Sequence, residues 1–207
     1  MDLKVFFIGF NKSGTTTYHN IMSQKFKSKH NTEWAKRSRD NRKGYAYRLK
    51  QYFKSADSWS DGESPDYKRL DEVFPNAKFI LNTRCERSWL ISLVRHVHRP
   101  AAMQIKGQHY REFFVQGAGR EQSVISMWLK RRRAYHGSVY KYFGNQTTSK
   151  FTVLDIENDD VVFRLSNFLG VQLNKSKRNM HYNRAVVNKN FIIKYIAMID
   201  DVLEKAL

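Results

Sequence analysis

The sequence is poor in cysteine, proline and glycine, with one, three and ten among 207 residues. A single thiol excludes an intramolecular disulfide and implies no need for an oxidising compartment. So little Pro and Gly fits one globular domain spanning residues 1–207. No apolar run approaches the roughly 18 residues that cross a bilayer. The N-terminal stretch Met1–Gly9 is too short and too soon interrupted to read as a signal peptide. The expectation is a soluble, cytoplasmic protein. Acids are also scarce: 19 Asp and Glu face 37 Lys and Arg, a formal charge of +18.

What is present is apolar and aromatic residue, 41% and 14% of the chain. That supply is enough to bury a core and offset the entropy of ordering, which argues against disorder. The positive charge calls for an anionic partner: nucleic acid, a polysaccharide, a membrane surface or a phosphorylated cofactor. Charge alone does not choose among them.

The apolar run Val5-Phe6-Phe7-Ile8 within Lys4–Gly9 predicts a short strand covered on both faces. A polar turn, Asn11 to Thr17, follows. Tyr18, Ile21, Met22 and Phe26 then recur like one face of a helix. A basic stretch runs from Lys25 to Lys54, with Glu33 and Asp40 its only acids, and Asp57–Pro65 reads as a turn-rich loop. Further along come a short helix over 66–74, a strand over 78–83, and a helix whose apolar face is Trp89, Leu90, Leu93, Val94 and Val97. A long helix over 121–143, a strand over 151–156, a helix over 160–169 closed by Gly170, and a last helix from about 189 to 206 complete the pattern. Strands alternating with helices predict an α/β fold with a mainly parallel sheet, in which ligands meet the carboxyl ends of the strands.

The turn after the first strand has the makings of an anion cradle: backbone N–H groups opening a helix, the charge of Lys12, and the hydroxyls of Ser13, Thr15, Thr16 and Thr17. Its order, Lys12-Ser13-Gly14-Thr15-Thr16, is not that of a Walker A loop, where Gly precedes Lys.

The segment Gly9-Phe10-Asn11-Lys12-Ser13-Gly14-Thr15-Thr16 resembles the 5′-phosphosulfate loop of sulfotransferases that use 3′-phosphoadenosine 5′-phosphosulfate (PAPS). Phe74-Pro75 through Thr83-Arg84, with Ser92 eight residues on, is similar to the family's strand ending in the 3′-phosphate Arg and its following Ser. Ser64–Asp71 and Val161–Gly170 resemble weaker signatures, so the likeness runs from about Val5 to Asn183. It implies a P-loop-like three-layer fold and transfer of a sulfuryl group from PAPS to a hydroxyl or amine acceptor, without a metal, leaving 3′-phosphoadenosine 5′-phosphate (PAP). It implies Lys12 as the group that stabilises the leaving phosphate oxygen. Asn11, Ser13, Gly14, Thr15, Thr16 and Thr17 hold the 5′ end, and Arg84, Ser92, Lys177 and Arg178 hold the 3′-phosphate. The family's general base lies after the first helix. Glu33 falls there, His30 is its rival, and Asp57 and Asp61 come third, while His19 reads as structural. His96-x-His98 reads as helix surface rather than a metal site. Arg131-Arg132-Arg133 point three ways around one helix and read as solvated. The basic stretch beside Glu33 fits a polyanionic acceptor such as a charged glycan. Two alternatives stay open, a P-loop nucleotide kinase or NTPase and a basic nucleic-acid-binding module.

Overall fold

The computed structural model describes residues 3–99, 108–144, 147–174 and 189–206. In chain order the elements are β1 (Val5–Phe7), α1 (Thr15–Met22), β2 (Ser28–His30), α2 (Glu33–Ser38), α3 (Tyr45–Phe53), β3 (Ser58–Ser60), α4 (Tyr67–Val73), β4 (Lys78–Thr83) and α5 (Glu86–Val97). There follow a helical turn, Gln108–Tyr110, running into a π-helical segment, Arg111–Gln116, then α6 (Glu121–Phe143), β5 (Phe151–Asp155), α7 (Val161–Leu169) and α8 (Lys189–Glu204). The chain divides into two compact units. One holds Met1–Arg84 and Tyr135–Tyr182, the other Cys85–Ala134 and Asn183–Leu207.

The first unit carries the sheet. Its order is β2-β3-β1-β4-β5, and every pairing is parallel. Phe6 stands opposite Trp59 on one side and Phe79 on the other. The side-chain period of two then divides β1 between two cores. Phe6 and Ile8 face one helix layer, with Trp34 and Ala35 of α2, Leu49 and Phe53 of α3, Leu70 of α4 and Val139 of α6. Val5 and Phe7 face the other, with Tyr18 and Ile21 of α1 and Leu165 and Phe168 of α7. Two helix layers around a parallel sheet are the architecture the sequence predicts. Phe6 is the hub, with the rings of Trp34, Trp59, Phe53, Phe74 and Phe79 between 5.2 and 5.9 Å from it.

Most element boundaries fall within a residue or two of the sequence reading, and β4 and α6 coincide with it. The difference lies in residues 25–65. The basic stretch, to which the sequence assigns no element, and the turn-rich loop after it contain β2, α2, α3 and β3. Both strands are three residues long and mostly polar, Ser-Lys-His and Ser-Trp-Ser, so neither shows an apolar run. The first helix stops at Met22, and Phe26 packs from the connection that follows it.

The second unit corrects the reading of the arginine triplet. The three side chains do diverge, but each is engaged. Arg131 donates to Glu112 at 2.9 Å, and Arg133 makes a two-pronged pair with Glu86 at 2.7 and 2.9 Å. Arg132 is buried, its guanidinium 4.8 Å over the Trp89 ring. Glu112 lies in the π-helical segment and also accepts from Trp128 and Gln108. Burial opposes its charge, but the donors from Arg131, Gln108 and Trp128 prevail and hold its carboxyl below the ordinary range. His98 is likewise no surface feature. It is half-buried against Phe113, Phe114 and Tyr195, and this burial lowers its pKa.

Candidate active site

The strand order sets where a site forms. The chain leaves β1 toward β2 on one side, and leaves β4 toward β5 on the other. Such a divergence opens a crevice at the carboxyl ends of the two strands. The β1–α1 loop lies there.

Two close approaches shape this loop. A Cβ on Gly9 would stand 2.0 Å from the Asn82 carbonyl oxygen, so no other residue fits against β4 at this point. Asn82, fully buried in β4, accepts the Gly9 N–H at 2.9 Å through Oδ1, and its Nδ2 faces the carbonyls of Phe10 at 3.5 Å and Ser13 at 3.4 Å. Lys12 (φ 66°) and Gly14 (φ 80°) both adopt left-handed backbone. For Lys12 this costs on the order of 1–2 kcal/mol and is held by the surrounding contacts. Gly14 is the N-cap of α1, without a side-chain cap, and no acid occupies the first turn. The first N–H groups of that helix are thus left to a ligand or to water, at the positive end of its dipole.

One atom tests whether an anion suits this place. Ser13 is fully buried, and its Oγ has no hydrogen-bond partner among the described residues. A buried hydroxyl left unpaired is costly, of order 1–3 kcal/mol, and an acceptor-rich ligand in the loop relieves it. With Lys12 and the α1 N-terminus beside it, the donor set matches a phosphate or phosphosulfate.

Arg84, at the end of β4, donates to the Lys12 carbonyl at 3.2 Å and pairs with Glu157 at 3.0 Å. The two sequence motifs are therefore in direct contact. Ser92 is half-buried on α5 in the second unit, and Lys177 and Arg178 lie outside the described residues.

The base candidates separate. Glu33 opens α2, its side chain 47% exposed and its carboxylate 2.8 Å from Arg37 one turn on. His30 ends β2 with Nε2 3.3 Å from Thr15 Oγ1 and 3.4 Å from Thr16 Oγ1. Asp61, which follows β3, accepts from Thr15 Oγ1 at 3.0 Å and lies 3.8 Å from His30. Asp57 accepts the Lys27 N–H and lies near Lys4, at the opening end of β3. The His19 ring lies 5.4 Å from that of His30, tilted by 42°, and meets Ser28 Oγ at 2.9 Å; burial, then the charge of His30, lowers its pKa. Tyr18 donates to the Leu154 carbonyl, tying α1 to β5, and burial drives its pKa up. Asn11 Nδ2 donates to Glu63 at 3.3 Å. Sequence reasoning misses Asn82 and Glu63 altogether. The first hides within an apolar strand and the second within a polar loop.

Among the described residues, no group of three or more His, Cys, Asp or Glu side chains is placed to hold a metal, and no helix is long and apolar enough to cross a membrane. A separate groove along α7, lined by Val162, Phe163, Ser166, Gly170, Val171 and Leu173, is bordered by none of the loop residues.

The sulfotransferase-domain family model matches residues 4–161, and the chain belongs to that family. A crystal structure of a sulfotransferase from Alicyclobacillus acidocaldarius is similar at a TM-score of 0.51 and 15% identity, covering 97% of this chain and 95% of that one; the likeness is one of fold. No curated protein matches the sequence. Family and fold together support a sulfotransferase activity.

Proposed function

We propose that the protein transfers the sulfuryl group of PAPS to a hydroxyl or amine acceptor by in-line displacement, and that this acceptor is an anionic glycan. The observation that carries the donor is the unpartnered Ser13 hydroxyl, buried between two left-handed residues at the N-terminus of α1. It is a donor set built for an anion on the strand end where Lys12 and Arg84 meet.

Bound PAPS would supply a sulfuryl group on a good leaving phosphate. The chain's own part is positioning and charge. The α1 N-terminus, Ser13, Thr15, Thr16 and Thr17 hold the 5′ end, with Asn11 at the mouth of the loop. Lys12 neutralises the phosphate oxygen that gains charge as its bond to sulfur breaks. Arg84 is assigned to the 3′-phosphate. The roles of Ser92, Lys177 and Arg178 rest on the family resemblance alone. The acceptor reading rests on the exposed Lys36, Arg37, Arg39, Arg42, Lys43 and Lys50 of the α2–α3 region. Arg39 donates to the carbonyls of Glu63 and Ser64, so this basic face adjoins the loop that carries Asp61.

Thermal shift with PAP, ADP and ATP with magnesium, and adenosine 5′-phosphate tests the donor. At 100 times its Kd, PAP adds about 2.7 kcal/mol of stability, and a chain of this size gains roughly 2–4 °C per kcal/mol. The expected midpoint rise is about 5–10 °C. Lys12→Ala should abolish transfer while keeping the fold. A stronger response to ATP with magnesium than to PAP refutes the reading. For the acceptor, transfer from PAPS to desulfated heparin should fall steeply with salt, and equal turnover of a neutral glycan refutes the anionic preference.

A further inference from the structure

Glu33 satisfies the sequence logic for the proton acceptor but not the geometry, since it is half exposed and already paired with Arg37. The loop after β3 offers a better group. Resting on the proposed sulfuryl transfer, we infer that Asp61 is the catalytic base that takes the proton of the acceptor hydroxyl.

Three observations lead there. Asp61 stands where the sheet delivers chemistry, at the carboxyl end of β3, the strand adjoining β1. Its carboxylate accepts from Thr15 Oγ1 at 3.0 Å, which places an anion against the first residue of the helix whose N-terminus receives the donor. A negative charge beside an anion site weakens ground-state binding, and it belongs there only if the reaction uses it. Third, its backbone is constrained to hold it. Asp61 has φ 67°, a left-handed conformation that L side chains rarely adopt. Gly62 next to it has no room for a Cβ, which would lie 2.4 Å from the Trp34 ring and 2.8 Å from Ala35 Cβ. Trp34 in turn donates to the Ser60 carbonyl at 2.9 Å, pinning the end of β3. Strained backbone held by its surroundings gathers at reacting groups.

The groups around it have other duties. His30 lies 3.8 Å away on β2 and meets both threonine hydroxyls, so it orients the carboxylate and Thr15. His19 on α1 lies against His30. Glu63, on the same loop, is engaged by Asn11. Lys12, in the β1–α1 loop, is already assigned to the leaving oxygen by the proposed function. The Asp61 side chain is 26% exposed, open on one side to an incoming acceptor.

In the step, Asp61 takes the proton from the acceptor O–H as that oxygen bonds to sulfur. The bond between sulfur and the bridging phosphate oxygen breaks, and its electron pair leaves with the phosphate. The protonated Asp61 returns its proton to water once product departs.

The test compares Asp61→Asn, His30→Asn, Glu33→Gln and Glu63→Gln with the wild type. Calorimetry reads affinity for PAPS and PAP, and labelled PAPS reads transfer to desulfated heparin and to water. The expectation for Asp61→Asn is a fall in transfer of about 100-fold or more, in the range a positioned base supplies. PAPS affinity should be unchanged or about 3- to 10-fold tighter, because a like charge has left the anion site. A merely structural carboxylate would instead weaken binding when removed. Glu33→Gln and Glu63→Gln should transfer within about threefold of wild type. Loss of PAPS affinity in Asp61→Asn, transfer that stays within threefold of wild type, or a full loss carried by His30→Asn or either Glu variant instead, overturns the assignment while leaving the donor reading standing. Failure of the wild type itself to bind PAPS or PAP overturns both.

Discussion

Replacing Asn82 should loosen the anion loop from beneath, without touching any residue that meets the ligand. Its amide spans the gap between β4 and the β1–α1 loop, accepting the Gly9 N–H at 2.9 Å and facing two carbonyls at 3.4 and 3.5 Å. Asn82→Leu keeps the volume and removes all three. The short bond matters most. It leaves the Gly9 N–H unpaired in a buried place, at about 1–3 kcal/mol, and the two long contacts together add at most about 1 kcal/mol. The sum is about 1–4 kcal/mol, or roughly 2–16 °C in midpoint for a chain of this size. Asn82→Ala gives a second reading free of any clash between a branched side chain and Gly9. Both variants should unfold earlier in a thermal melt and bind PAP at least tenfold more weakly, because the loop carbonyls are no longer held in register with α1. A melt within 1 °C of wild type together with unchanged PAP affinity would refute the idea that Asn82 shapes the loop.

Gly14→Ala forces a Cβ to 2.4 Å from Ile156 Cγ1 at φ 80°, so it should lose PAP binding and some stability; adding Ile156→Ala should recover only the steric part, and full recovery would show that the left-handed backbone costs nothing. Arg84 pairs with Glu157 at 3.0 Å, and a half-exposed pair of this kind is worth about 0–1 kcal/mol, so Glu157→Gln should tighten PAP about two- to fivefold with little change in melting; weaker binding would argue against Arg84 as the 3′-phosphate ligand. The His19 pKa is lowered by burial and by His30, so the unfolded chain protonates first as pH falls through its ordinary value near 6.5, and stability present at neutral pH is lost toward pH 5. His98 acts in the same direction. In nucleotide-free protein, His19→Asn should flatten the melting profile between pH 7.5 and 5, and an unchanged slope would remove His19 from that account.

What could be read without coordinates follows from how each element is stabilised. β4 and β5 lie between two helix layers, so their apolar runs announce them, and α6 is long enough for its period to show. β2 and β3 are stabilised by position. Ser58 and Ser60 are fully buried because α1 covers their face of the short strand, and nothing in Ser-Trp-Ser signals this. The loop motif was legible because an anion cradle needs particular residue types in a particular order. The proposed base is less so, because proton transfer requires only a carboxylate or imidazole in reach, and reach is set by strands 30 residues apart in sequence. Glu33 stands out in the sequence as one of two acids in a basic stretch, and only the structure shows that its carboxylate pairs with Arg37 one helical turn on.

Under the proposed transfer, the sheet order would account for how leaving group and base come to oppose each other. In-line transfer needs the departing oxygen on one side of sulfur and the attacking oxygen, with its proton acceptor, on the other. Neighbouring strands in a sheet lie about 4.8 Å apart. The loop after β1 carries the leaving-group residues, and the ends of β3 and β2, one and two strands away, carry Asp61 and His30. The sulfuryl group would sit over the step between β1 and β3. Thr15, whose hydroxyl bonds Asp61 and whose helix end faces the anion, bridges that step. On the proposed reading, a parallel sheet with this order would set the separation between charge stabilisation and proton removal through its own strand spacing.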